Sequence, residues 1–150
     1  MNDLVLDGWA SARANVNIAL VKYWGKAPAK RPEDANLPAV PSLSLTLDSL
    51  YTETRARFAP ELDGDRVTLD GRLLTGEEHA RVVSVLDILR REHELASAFE
   101  ITSENHVPTA AGLASSASGM AALATAAGRL VGLDPARPED ATTLSRLARV

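Results

Sequence analysis

The chain has 150 residues, 45% of them hydrophobic and 24% charged, and a formal net charge of −4 at pH 7. This is a single-domain length able to bury about two thirds of its unfolded surface, and the acidic balance argues against a bulk nucleic-acid binder. There is no apolar run near the ~18 residues of a membrane span and no basic signal-peptide start, and the lack of cysteine excludes disulfides and thiolate metal sites, in keeping with a reducing cytoplasm.

The first clear element is a strand, because Asn15 and Asn17 alternate with Val16, Ile18 and Leu20. It runs into Lys22-Tyr23-Trp24-Gly25-Lys26, where two of the chain's four Tyr and Trp residues stand beside two ammonium groups and Gly25 permits a tight turn. All three lysines, Lys22, Lys26 and Lys30, fall in this segment, and no acidic residue occurs between Gly8 and Pro32. Two readings stay open. The lysines are a solvated loop with Tyr23 and Trp24 as core anchors, or they form a local positive field that focuses a small polyanion.

Leu43, Leu45 and Leu47 alternate with Ser42, Ser44 and Thr46, and Tyr51 to Phe58 alternates likewise, which predicts paired strands. Asp63-Gly64 and Asp70-Gly71 predict hairpin turns on either side of a strand from Arg66 to Leu69. Thr75 with Glu78 predicts a capping box, after which Val82, Val85, Leu86 and Leu89 mark the buried stripe of a helix reaching about Leu95. Arg81 flanks that stripe, as a solvated ion-pair residue or as a guanidinium aimed along the sheet edge at an anion.

Phe99 and Ile101 begin a strand that feeds the most pointed motif of the chain. From Pro108 to Ser118 the side chains other than Leu113 are tiny or hydroxylic, and a helix follows. Small residues let an anion approach backbone N–H groups, Ser115, Ser116 and Ser118 offer hydroxyls, and the helix start adds free donors and a positive dipole end. The Walker and dinucleotide spacings are both absent. The alternative is an Ala/Ser-rich connection capped by serine.

The helix after it buries Met120, Leu123, Ala124, Ala127, Leu130 and Val131, with Gly132 and Asp134-Pro135 as the stop. Glu139 and Asp140 open a last helix with Leu144, Leu147 and Ala148 on one face. Its stripe is still running at Val150, which predicts a chain cut from something longer. His79, His93 and His106 are too scattered for a ligand cluster, so no protein-bound transition metal is expected. The order of elements predicts an α+β domain with a mixed, mostly antiparallel sheet and helices on one side.

Three segments together resemble the diphosphomevalonate decarboxylases, a branch of the GHMP kinase superfamily. They are Asn15 to Lys26; Asn36-Leu37-Pro38 with Ser42 to Leu47; and Ser103-Glu104-Asn105 with Pro108-Thr109-Ala110-Ala111-Gly112-Leu113-Ala114-Ser115-Ser116-Ala117-Ser118-Gly119. The resemblance runs in order from about Ser11 to Val150. Other GHMP kinases usually have glycine where Ala114 stands and lack the Lys-Tyr-Trp-Gly-Lys run.

The resemblance implies a GHMP-kinase N-terminal domain and ATP-dependent decarboxylation of (R)-5-diphosphomevalonate to isopentenyl diphosphate, in isoprenoid biosynthesis. It implies that Tyr23, Trp24, Gly25 and Lys26 contact the substrate, that Lys22 supports the phosphate site, and that Arg81 matches a diphosphate-binding arginine. Residues Pro108 to Ser116, with Ser118, would cradle the phosphates of ATP, and Mg2+ would accompany them. A cytoplasmic homodimer without nucleic-acid or membrane partners is implied too.

Val40-Pro41-Ser42 departs from the family's usual Asn and two small polar residues. The segment that holds the carboxylate and the catalytic aspartate both belong to sequence beyond Val150. The resemblance therefore implies an incomplete N-terminal domain that is inactive alone and lacks its C-terminal domain. A mevalonate 3-kinase type of small-molecule kinase and a non-catalytic nucleotide-binding fragment remain alternatives.

Overall fold

In the computed structural model, residues 5–6, 8–22, 25–28, 38–107 and 115–150 are described. In chain order these form β1 (Val5–Leu6), β2 (Trp9–Val21), β3 (Leu43–Phe58), β4 (Arg66–Leu69), β5 (Arg72–Leu73), α1 (Gly76–His93), β6 (Phe99–His106), α2 (Ser115–Leu130) and α3 (Pro138–Leu147). The strands make one sheet in the order β1-β2-β3-β6-β4-β5. Every pairing is antiparallel except β4 with β6. The architecture is α+β, as the order of elements predicts.

Side-chain alternation decides what each face of the sheet does. Ala10, Ala12 and Val16 of β2, Thr52, Thr54 and Ala56 of β3, and Phe99 and Ile101 of β6 are buried on the face that α2 covers. Small residues on β2 and β3 meet Ala122, Ala124, Ala126 and Ala127 of α2, so helix and sheet approach closely. Val85, Leu86, Ile88 and Leu89 of α1 and Leu144 and Leu147 of α3 complete the core. The opposite face is polar and aromatic. Arg13 lies 3.5 Å from the Tyr51 ring centroid, Tyr51 stacks on His106 at 4.4 Å, and Arg55 and Arg57 reach over Trp9.

Several expectations are corrected. The segments 43–47 and 51–58 do not pair with each other but belong to one 16-residue strand, β3, which pairs with β2 along both parts. Leu43 and Leu45 are 61% and 54% exposed, because α2 begins over Thr52 and the hairpin runs on past it. Asp63-Gly64 is no hairpin turn, since β6 lies between β3 and β4. Asp65 makes that arrangement possible. Its carboxylate accepts from the Phe99 backbone N–H at 2.8 Å and pairs with Arg90, tying the starts of β4 and β6 to α1.

Asp70-Gly71 does form the two-residue turn, with φ of 50° and 78°, values that suit the Asp-Gly pair in a hairpin. The Thr75 capping box is absent: Thr75 is the N-cap residue without a side-chain hydrogen bond, and Glu78 bonds Arg72 instead at 2.9 Å. α1 ends at His93, with Glu94 in the left-handed region, and Gly132 at φ 89° follows α2. α3 stops at Leu147 rather than running to Val150. The N–H groups of Ala148, Arg149 and Val150 close onto Leu144, Arg146 and Leu147. No described helix is long and apolar enough to cross a membrane.

Candidate active site

The strand-to-helix handover around β6 and α2 builds a cleft of about 240 Å³ between α1 and α2, over β4 and β6. Val67, Leu69, Leu74, Ile101, Met120 and Leu123 supply apolar walls. Polar groups converge from four elements: Thr68 of β4, Ser103 and Asn105 of β6, Glu78 and Arg81 of α1, and Ser116 and Gly119 in the first turns of α2. An apolar slot with a few convergent polar groups beside a helix start suits a ligand with a flat ring and an anionic tail.

Arg81 is exposed and faces this cleft, not a remote surface. The cleft thus unites two features that are far apart in sequence: the guanidinium-bearing Arg81 and the start of α2 with its Ser116 hydroxyl. Nearby, the Arg72–Glu78 pair joins β5 to the first turn of α1, and the hydrogen bond from Arg72 holds the Glu78 carboxyl below its ordinary value. Glu78 and Arg81 stand one turn apart on α1, so an anionic and a cationic group face the cleft from the same helix.

The expected cradle divides. Ser116 is exposed and lines the cleft, whereas Ser118 is buried, with its oxygen 2.9 Å from that of Thr52. Pro108, Thr109, Ala110, Ala111, Gly112, Leu113 and Ala114 lie outside the described residues, as does the side chain of Ser115. In the lysine segment, Lys22, Gly25 and Lys26 are exposed beyond the end of β2, while Tyr23, Trp24 and Lys30 lie outside the described residues. Lys26 bridges to Pro38, and Gly25 accepts from the Ala39 N–H at 3.1 Å. Lys22 and Lys26 do not line the Arg81 cleft.

Ser103 and Asn105 stood out in the sequence only as part of a motif and were given no binding role, and Thr68 only as a strand residue. Their membership of the cleft depends on β6 pairing with β4, which no local pattern signals. Among the described residues no group of three or more His, Asp or Glu side chains is placed to hold a metal ion.

A family model described as the diphosphomevalonate decarboxylase-like N-terminal domain matches residues 14–150. The diphosphomevalonate decarboxylase of Saccharomyces cerevisiae is 42% identical over 153 residues, covering 93% of this chain and 37% of the relative; that of Bos taurus is 43% identical over 140 residues, covering 81% and 33%. The chain thus spans well under half the length of these relatives. The mevalonate diphosphate decarboxylase from Enterococcus faecalis superposes with a TM-score of 0.82 at 41% identity, covering 94% of this chain and 43% of that one. A structure described as MDDEF in complex with MVAPP, AMPPCP and magnesium gives 0.81 at 41% identity, covering 94% and 42%. With the matching fold, the ordered motifs and a family match over nearly its whole length, the chain belongs to the diphosphomevalonate decarboxylase-like N-terminal domain family.

Proposed function

We propose that the protein carrying this domain catalyses ATP-dependent decarboxylation of (R)-5-diphosphomevalonate to isopentenyl diphosphate, releasing ADP, phosphate and carbon dioxide. The observation that carries the reading is the convergence of Arg81, Ser116 and the start of α2 on one cleft, in a chain 41% identical to a relative described with MVAPP, AMPPCP and magnesium.

Each group has a task in this reading. The α2 start and Ser116 take the phosphates of ATP, and the apolar wall of Leu69, Leu74 and Met120 takes its flat base. Arg81 takes diphosphate oxygens through its planar fork, and Tyr23 to Lys26, supported by Lys22, hold the substrate at the far end of β2. ATP, when bound, supplies the phosphoryl group that turns a poor tertiary hydroxyl into a leaving group. The domain's own contribution is positive charge arranged before the reaction begins. The segment that holds the carboxylate and the catalytic aspartate belong to a second half, so residues 1–150 alone are inactive. A homodimer is part of the same reading.

Release of labelled carbon dioxide from carboxyl-labelled substrate with ATP and Mg2+ tests the proposal. A chain extended through its second half turns over, and residues 1–150 at equal concentration do not. Phosphorylation of the substrate without carbon dioxide release by the extended chain would replace the decarboxylase reading with a kinase.

A further inference from the structure

Three polar residues, Thr52, Thr54 and Ser118, are buried as whole residues among the described ones, beside an apolar core. Thr54 meets Ser103 in mid-strand, whereas Thr52 and Ser118 meet where β6 ends and α2 begins. Thr52, wholly buried on β3, donates to Asn105 Oδ1 at 2.8 Å and lies 2.9 Å from Ser118 Oγ. Asn105 is in turn held by Asp70, whose carboxylate accepts from its backbone N–H at 2.8 Å and from Nδ2 at 3.1 Å. One hydroxyl therefore touches both flanks of segment 106–117, on β6 through Asn105 and on α2 through Ser118.

A β-strand facing a helix would ordinarily fill such a position with valine, which has the shape of threonine without the oxygen. Buried hydroxyls are retained at low cost only when paired, and a paired network fixes geometry rather than adding much net stability. We propose that Thr52 is a positioning residue for nucleotide binding, clipping the end of β6 to the first turn of α2 and so setting the spacing between Asn105 and Ser116. Asp70 is the outer anchor of the clip, fixing which face of the Asn105 amide meets Thr52. This rests on the ATP reading above, and it adds the residues that hold the nucleotide cleft in register.

The test compares Thr52→Val, Thr52→Ser and Asp70→Gly with the unaltered protein, each in the full-length chain. Without nucleotide, amide exchange across 105–118 accelerates several-fold in Thr52→Val and Asp70→Gly, and Thr52→Ser restores it. The ATP–Mg2+ dissociation constant in Thr52→Val rises about tenfold, the scale of one lost buried hydrogen bond, while affinity for diphosphomevalonate alone is unchanged. Unaltered exchange in a folded Thr52→Val protein, or a Thr52→Ser protein as impaired as Thr52→Val, overturns the proposal. Should Thr52→Val fail to fold, Asp70→Gly decides, since Asp70 is exposed and its φ of 50° suits glycine. Unaltered exchange there overturns the proposal too. If the unaltered protein binds no ATP, the functional reading falls, whereas the exchange comparison still decides the clip.

Discussion

Gly128 of α2 lies so close to Leu144 of α3 that a Cβ built on it would come within 2.5 Å of the leucine Cδ2. Leu144 is buried and Leu133 stands 3.2 Å from the same point, so the methyl group has nowhere to retreat. Replacing glycine by alanine in a helix gains up to about 1 kcal/mol, but overpacking a filled site costs about 1–3 kcal/mol. Gly128→Ala is expected to lower stability by about 1 kcal/mol in urea unfolding, and Leu144→Ala is expected to cost less in that background than alone. A more stable Gly128→Ala protein contradicts the close approach.

Asp65 is the junction of β4, β6 and α1, with a side chain only 4% exposed. Asp65→Ala leaves the Phe99 N–H and the Arg90 guanidinium without this acceptor. Breaking a buried pair costs about 3–5 kcal/mol, and the lower end applies because Arg90 also bonds Asp87 at 2.6 Å. Chemical unfolding should show a loss of about 3 kcal/mol; a loss within the range of an ordinary surface change would remove Asp65 from this role.

Ligand binding gives a third expectation. Ser116→Leu places bulk at the α2 start on an exposed position, so ATP affinity in the full-length protein should fall at least about tenfold with little change in melting temperature. Calorimetry that finds unaltered ATP affinity excludes the α2 start as the phosphate site.

The lysine segment is tested by contrast between two positions. Lys26→Ala should raise the substrate requirement about tenfold to a hundredfold, the value of a charge-assisted contact, while Lys30→Ala should matter far less. Equal, small effects in steady-state assays would favour a solvated loop.

Acid sensitivity follows from two exposed pairs. The hydrogen bond from Arg57 lowers the pKa of Glu61, and that from Arg72 lowers the pKa of Glu78. A carboxylate with a depressed folded-state pKa stabilises fully above its unfolded pKa, and this support is lost as pH falls through the folded value. Urea midpoints should therefore be flat on this account near neutrality and decline below the ordinary glutamate range. Arg72→Gln should make the decline shallower, and an unchanged slope would show that this pair contributes nothing.

Local chemistry made much of the fold legible. The stripes of α1 and α2, the strand at Phe99 and the Asp70-Gly71 turn all depend on residues within a few positions of one another. Strand order did not, because Asp63-Gly64 has the composition of a hairpin turn and only the insertion of β6 shows otherwise. Thr75 and Glu78 have capping-box spacing, yet Arg72 competes for the Glu78 carboxylate, and that competitor approaches through the β4–β5 turn. In the candidate site, Arg81 and the Ser-rich helix start were readable as chemistry. Thr52 was not, since one threonine in an alternating strand carries no sign that it faces Asn105 and Ser118.

The place of β6 between β3 and β4 also governs how the chain can assemble. With strands about 4.8 Å apart, β3 and β4 flank a slot roughly 10 Å wide that neither can close by zipping onto the other. β6 follows α1 in the chain and pairs antiparallel on one side and parallel on the other. Such non-local pairing slows folding, because loop closure must precede the contacts that reward it. Without β6 the β1-β2-β3 and β4-β5 groups share no pairing, and one strand of eight residues joins them into a single sheet.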